Sequence, residues 1–334
     1  MNLEPLRIGL IGCGKQAPKH IEGLRSTGHP VDISVYDTNC QAVAALASNE
    51  SVTPVESLEV ILNDSGIGAV IIATPTPYHH DLIVAALQAG KHAFCEKPLC
   101  ATLAEAESIE EASRRAGKFV QVGYVYRFVP AFRFLHDLLA NRAQPLGRLV
   151  LALLRLGGRG SHSVWKHRSS SGGGAINEVL VHILDLAGWL FGPLDHALWH
   201  QKLLLRSERV IDGARVSADA EDFVLVTTQG RGGIHIVLQA DLLTPAFQQT
   251  LEVNGEAGSF LGSIEPQHPS FIHLLETRGE FAAGRRSLSF PQENLFHSQM
   301  RNFVENILRG TLVDCATVAD SLQLLKIVEQ ARAN

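Results

Sequence analysis

Through roughly the first 125 residues, short apolar runs alternate with amphipathic segments of helical length. Residues 6–11 and 31–36 read as strands, and 18–27 and 41–48 as the helices that follow them. The run 69–73 is apolar at every position, the pattern of a parallel strand covered on both faces. Residues 80–89 read as a helix stopped by Gly90, and 92–95 as the next strand. Thr102 followed by Glu105 has the spacing of a capping box, and 119–122 gives one more strand. Repeated strand–helix units of this length predict a doubly wound parallel sheet.

Beyond residue 125 the grammar changes. Segments 148–156, 198–205, 222–228, 233–242 and 248–254 read as strands, mostly without helices between them. Gly230, Gly232 and Gly233 supply a turn joining two of these strands. That pattern predicts an α+β domain with a large, mostly antiparallel open sheet. Helical patterns at 298–309 and 318–331 close the chain. The expected division is therefore 1–124 and 125–334.

A chain of 334 residues suits two domains, and 46% hydrophobic with 19% charged residues is ordinary for a globular core. A net charge of −5 gives no electrostatic case for nucleic acid or a membrane surface as partner. The five cysteines, Cys13, Cys40, Cys95, Cys100 and Cys315, include no CxxC pair, which argues against a disulfide framework and against zinc. The 15 histidines are scattered apart from His79-His80, so no metal is expected. No apolar stretch of about 20 residues is read as a membrane span, the first apolar run ends in glycines, unlike a signal peptide, and the cytoplasm is the expected compartment.

Chemistry enters at Gly12-Cys13-Gly14-Lys15-Gln16-Ala17, which follows the first strand and opens a helix as a GxGxxA turn. Gly12 permits the tight turn, Gly14 lets the backbone approach a pyrophosphate, and Ala17 keeps the helix close to the sheet. The first domain thus reads as a Rossmann domain. Asp37 ends the second strand near the expected spacing of about 20 residues. Its carboxylate suits the ribose hydroxyls of NAD and would repel the 2′-phosphate of NADP, while a helix cap or turn is the alternative for it. NAD is the expected cofactor.

Two further segments, Ala73-Thr74-Pro75-Thr76-Pro77-Tyr78-His79 and Cys95-Glu96-Lys97-Pro98, follow parallel strands at the ends where ligands gather. With the Gly12–Ala17 turn they resemble the Gfo/Idh/MocA family, named for glucose–fructose oxidoreductase, inositol dehydrogenase and rhizopine catabolism proteins. The resemblance implies an α/β Rossmann domain followed by an α+β domain whose open sheet often forms the interface of a homodimer or homotetramer. It also implies NAD-dependent chemistry on sugars, cyclitols and their derivatives. It places Lys97 at the substrate and nicotinamide, makes His182 the acid/base, and puts Thr74, Pro75, Glu96 and His79 at the cofactor. Glu178 stands where many members carry aspartate, and Leu180 where glycine is frequent.

The segment 175–191 can also be read alone. Gly172-Gly173-Gly174 precede it and Gly192-Pro193 end it. At about 100° per residue, Glu178, His182, Asp185 and Trp189 fall in one stripe on an otherwise apolar helix. A stripe of buried polar groups needs partners or a wet cavity. It either lines a substrate site or satisfies itself, with His182 bonded to Glu178 or Asp185. Tyr126 and Arg127, after the last strand of the first domain, and Trp165 and Lys166, before the glycine run, are candidate substrate contacts; a structural hinge and a solvated loop are the alternatives. The expected activity is hydride transfer between nicotinamide and a secondary alcohol or ketone of a sugar, cyclitol or nucleotide-sugar. Transient use of tightly bound NAD for elimination or epimerisation, and a non-catalytic nucleotide sensor, remain open.

Overall fold

The computed structural model describes residues 4–158, 163–195, 197–265 and 268–333. They form two compact units, 1–125 with 293–325, and 126–292 with 326–334.

In the first unit, β1 (Leu6–Ile11), α1 (Ala17–Arg25), β2 (Val31–Tyr36), α2 (Cys40–Asn49), β3 (Thr53–Pro54), α3 (Leu58–Asn63), β4 (Ile67–Ile72), α4 (His79–Gln88), β5 (His92–Cys95), α5 (Leu103–Ala116) and β6 (Val120–Val122) follow one another. All strands pair in parallel, in the order β3-β2-β1-β4-β5-β6, which is the expected doubly wound sheet. Ile8, Leu10, Ala69 and Ile71 on its central strands are fully buried, as strands covered on both faces require. The box predicted for α5 is complete: Thr102 accepts from the Glu105 N–H while the Glu105 carboxylate accepts from that of Thr102. The short β3 and α3 were not expected.

In the second unit come α6 (Pro130–Ala140), β7 (Leu149–Gly157), α7 (Val181–Phe191), β8 (Leu198–Leu203), β9 (Glu208–Ile211), β10 (Ala214–Ser217), β11 (Phe223–Gln229), β12 (His235–Asp241), β13 (Gln248–Gly255), β14 (Gly258–Ser263), β15 (Ser270–Leu274) and β16 (Gly284–Leu288). Eight of these strands form one sheet, ordered β16-β15-β14-β13-β7-β12-β11-β8, in which β7 and β12 are the parallel pair. The glycine turn at Gly230–Gly233 joins β11 to β12, as expected. On one face Ala152, Leu154, Val226, Leu238, Leu251 and Phe260 are buried, with α6 and α7 packed against it. Their alternates Leu151, Leu153, Leu225, Val237 and Leu261 on the other face are only half-buried.

The chain then continues with α8 (Leu295–Arg309) and α9 (Val318–Ala333). Helix α8 starts earlier than its apolar pattern because the Asn294 side chain accepts the Phe296 N–H. It packs on α1, with Met300, Phe303 and Val304 in the core of the first unit. By length and composition alone the stretch Ser169–Phe191 is apolar enough to cross a membrane. Seventy-two per cent of its apolar window is buried inside the protein, as in a core helix.

Candidate active site

In the first unit the strand order reverses between β1 and β4, the place where such sheets open a ligand crevice. Gly12 leaves β1 at φ +101°, and a Cβ there would lie 2.7 Å from the carbonyl of Ala73. Only glycine fits on both counts. A Cβ at Gly14 would meet nothing within 4 Å, so its backbone faces the open space that a pyrophosphate would occupy. Helix α1 opens beside it with Pro18 in the first turn and no side-chain cap. Lys15 is exposed, and two buried polar atoms at this opening, Gln16 Oε1 and Thr74 Oγ1, have no hydrogen-bond partner within the protein. Buried polar atoms are rarely left so. The residues present therefore fit a dinucleotide.

Asp37 accepts the N–H groups of Cys13 and Asn39, both at 2.8 Å, which fastens the glycine turn to the end of β2. The cap of α2 is Asn39, which accepts from Gln41 and Ala42; Asp37 is not that cap, and its bonds to Cys13 and Asn39 make it the turn residue that the sequence left as an alternative. Burial, with the Asp37 charge beside it, pushes the Cys13 thiol up to about 11.

The loop after β5 is anchored by a residue that sequence reasoning passed over. His20 on α1 is fully buried, with Nε2 2.8 Å from Glu96 Oε1. Burial alone would raise the Glu96 carboxyl, but the hydrogen bond and charge of His20, with the charge of Lys97, outweigh it and hold the group below its ordinary value. Its other oxygen accepts the Lys97 N–H at 3.2 Å, and the Lys97–Pro98 peptide is cis. His79 is buried at the start of α4, with Nδ1 2.9 Å from the Pro98 carbonyl oxygen and Nε2 2.8 Å from that of Thr74. Both ring nitrogens are spent on backbone, so the side chain straps two loops together.

In the second unit the stretch 175–191 is not one uniform helix. Ile176–Leu180 is a π-helical turn, and α7 takes over at Val181. Its start is held by Glu221, whose carboxylate accepts the Ile176 N–H at 3.0 Å and whose carbonyl accepts that of Ala175 at 2.8 Å. A Cβ at Gly174, which has φ +109°, would collide with that carboxylate. The wider turn rotates Glu178 relative to a regular helix, and the expected single stripe breaks up. Glu178 and His182 face a cavity, Asp185 pairs with Arg127, and Trp189 stacks on His136 with ring centroids 4.3 Å apart.

That cavity has a volume of about 210 Å³. Lys166, Glu178, His182 and Tyr126 supply its polar wall, Leu156, Val179, Leu242 and Phe247 its apolar one, and Gly157 and Gly158 border it. Lys166 Nζ is ion-paired with Glu178, and the side chains are 24% and 11% exposed. The Tyr126 ring lies 4.6 Å from that of His182, and burial pushes its phenol up to about 12. Arg127 and Asp185 are not in this wall. Their side chains are nearly sealed and share two hydrogen bonds, of 2.9 and 2.6 Å. Trp165 is 46% exposed, with Lys166 Nζ 5.3 Å from its ring centroid.

A parallel sheet with a dinucleotide-type crevice, followed by a mixed sheet carrying an imidazole–carboxylate–ammonium cavity, is the architecture of a two-unit oxidoreductase. The comparisons with known proteins make this specific. Residues 6–124 match the model of the oxidoreductase family with an NAD-binding Rossmann fold, and 132–261 match the GFO/IDH/MocA C-terminal domain. The chain belongs to the Gfo/Idh/MocA family and is an oxidoreductase. It is 30% identical to inositol 2-dehydrogenase 2 of Saccharopolyspora erythraea, over 84% of this chain and 78% of that one. It is 28% identical to 1,5-anhydro-D-fructose reductase of Ensifer adhaerens, over 89% and 86%. Levoglucosan dehydrogenase in complex with NADH and levoglucosan shares the fold, with a TM-score of 0.86 at 22% identity over 99% and 98% of the two chains.

Proposed function

We propose that this chain is an NAD(H)-dependent dehydrogenase or reductase of a secondary alcohol or ketone on a sugar or cyclitol. The observation that carries the reading is the cavity onto which the π turn delivers Glu178 and His182 together. The names of the inositol and anhydrofructose relatives support the substrate class.

Bound NAD supplies the hydride acceptor or donor. Gly12, Gly14, Lys15, Gln16 and Ala17 receive its pyrophosphate, and Thr74, Pro75 and Glu96 line the nicotinamide side while His79 fixes their loops. Asp37 disfavours the extra phosphate of NADP by charge. His182 takes or returns the hydroxyl proton, a task suited to imidazole near neutrality. Lys97 donates a hydrogen bond to the substrate oxygen and stabilises its developing negative charge. Glu178 orients the substrate with Lys166, and Tyr126 packs against it. Arg127 and Asp185 hold α7 in place rather than touching substrate.

The half-buried outer face of the eight-stranded sheet suits a second copy of the chain, giving a homodimer or homotetramer. The free thiols, four of them buried, suit the reducing cytoplasm. Incubation with NAD or NADP and a panel of inositols, anhydro sugars and aldoses, followed at the NADH absorbance band, tests the activity. NADH formation with NAD in preference to NADP is expected. Tight NADH binding without turnover of any panel member would count against the reading.

A further inference from the structure

Resting on the assignment of the second unit's cavity to substrate, we infer that Gln249 is a positioning residue for the reaction. Its amide sets the Tyr126 phenol, and through that ring the imidazole of His182.

Gln249 lies on β13, where side chains alternate between the two faces of the sheet. It shares the helix-covered face with Leu251 and Val253, which are fully buried. An amide therefore stands where the alternation calls for an apolar side chain. It is only 3% exposed, and neither its oxygen nor its nitrogen makes a hydrogen bond among the described residues. An amide buried without partners lowers stability, and a methionine or leucine of similar size would not. Such a group points to a use other than folding.

The neighbours of Gln249 supply that use. In the strand register it stands directly opposite Leu156, and Phe247 precedes it by two residues; both line the cavity. Tyr126 is a third wall residue. Burial pushes its phenol up, and the adjoining Gln249 amide offsets part of that push. The Tyr126 ring packs in turn on His182, with centroids 4.6 Å apart. A phenol has one hydrogen to donate, and an amide oxygen can accept it. That bond, completed when substrate closes on the ring, holds the ring at one angle and with it the imidazole lying against it.

The test is a double-mutant cycle in the full-length protein with saturating NAD. The substrate is whichever of myo-inositol, levoglucosan and 1,5-anhydroglucitol the wild type oxidises fastest. Gln249→Met should lower kcat/KM about ten- to a hundredfold, mainly through kcat, with the NADH dissociation constant unchanged. Denaturant unfolding should find the variant as stable as the wild type or more so, because no buried amide is left to satisfy. Tyr126→Phe should give a loss of similar size, and adding Gln249→Met to it should lower kcat/KM no further, since the two act through one bond. Gln249→Leu repeats the measurement with a second apolar side chain. Additive losses would overturn the inference while leaving the oxidoreductase reading intact, as would an unchanged kcat/KM in a folded variant. Failure of both apolar variants to fold would make Gln249 a structural residue and overturn it as well. Absence of turnover with all three compounds would defeat the substrate assignment itself, and this inference with it.

Discussion

Glu178 and Asp185 project from one helical stretch, and each is paired with a cation from another segment, yet their surroundings differ. Asp185 grips Arg127 through two hydrogen bonds with both side chains almost fully buried, and neither residue reaches the cavity. Glu178 meets Lys166 at the cavity wall, where both keep some access to solvent. A sealed, bidentate pair is a structural fastener, because breaking it leaves charge in the protein interior. A pair bordering a cavity can exchange part of its bonding for a ligand. The π turn Ile176–Leu180 separates the two roles, since it sets the direction of Glu178 independently of α7.

His182→Ala should lower kcat about 10²–10⁴-fold, the usual worth of a general acid–base, with the NADH dissociation constant unchanged. Lys97→Ala should likewise cut turnover while NADH still binds. An unaltered kcat in either variant would remove that residue from the chemistry.

The two ion pairs should then respond differently to loss of one partner. Asp185→Asn removes the carboxylate charge from the nearly sealed pair with Arg127 and is expected to cost about 3–5 kcal/mol of stability, read by denaturant unfolding. Lys166→Met should cost under about 1 kcal/mol, like other partly exposed pairs, and show itself in substrate binding. Equal destabilisation by the two would erase the distinction.

Gly174→Ala acts at the π turn itself. The new methyl collides with the Glu221 carboxylate and strains a positive φ, so the cap on Ile176 should be lost. Stability should fall by about 1–3 kcal/mol, accompanied by a drop in kcat larger than the change in NADH affinity. Unchanged kinetics in a folded variant would show that the turn does not position Glu178 and His182.

A smaller effect concerns a group whose burial no opposite charge offsets. Burial, with the Lys118 charge nearby, holds His92 down at about 4; its ring packs on Phe119 with centroids 4.0 Å apart. It is neutral in the folded protein, whereas in the unfolded chain it takes up a proton below about 6.5. Its contribution to stability is therefore full above pH 6.5 and is lost as the pH falls toward 4. His92→Asn should flatten that part of the Tm–pH curve. An identical slope would contradict the assignment.

The parallel-sheet unit was largely legible in the sequence because its signals are local. Apolar strands, the Gly12–Ala17 turn and the Thr102–Glu105 box each declare themselves within a few residues. His20 escaped notice because its meaning depends on Glu96, far along the chain, and a lone histidine on a helix carries no cue of that partner. In the second unit β14, with sequence Gly-Ser-Phe-Leu-Gly-Ser, and β16, with two adjacent arginines, lack the alternation that marks a strand. They exist because neighbouring strands supply their hydrogen bonds. Polar residues on 175–191 were visible, but a regular 100° step could not foretell a π turn, so Asp185 was grouped with Glu178. Arg127 and Asp185 look like substrate ligands in sequence and prove to be each other's partners. Family resemblance supplied Lys97 and His182, which periodicity alone would have left as one lysine and one core histidine among many.

The proposed activity is direct transfer of hydride between a substrate carbon and NAD. The most direct measurement uses a panel sugar or cyclitol deuterated at its carbinol carbons, incubated with NAD and the wild-type protein. Mass spectrometry of the nucleotide should find one deuterium in the NADH formed, and His182→Ala should form it far more slowly. NADH lacking the label, or no nucleotide reduction by any neutral polyol, would contradict the account.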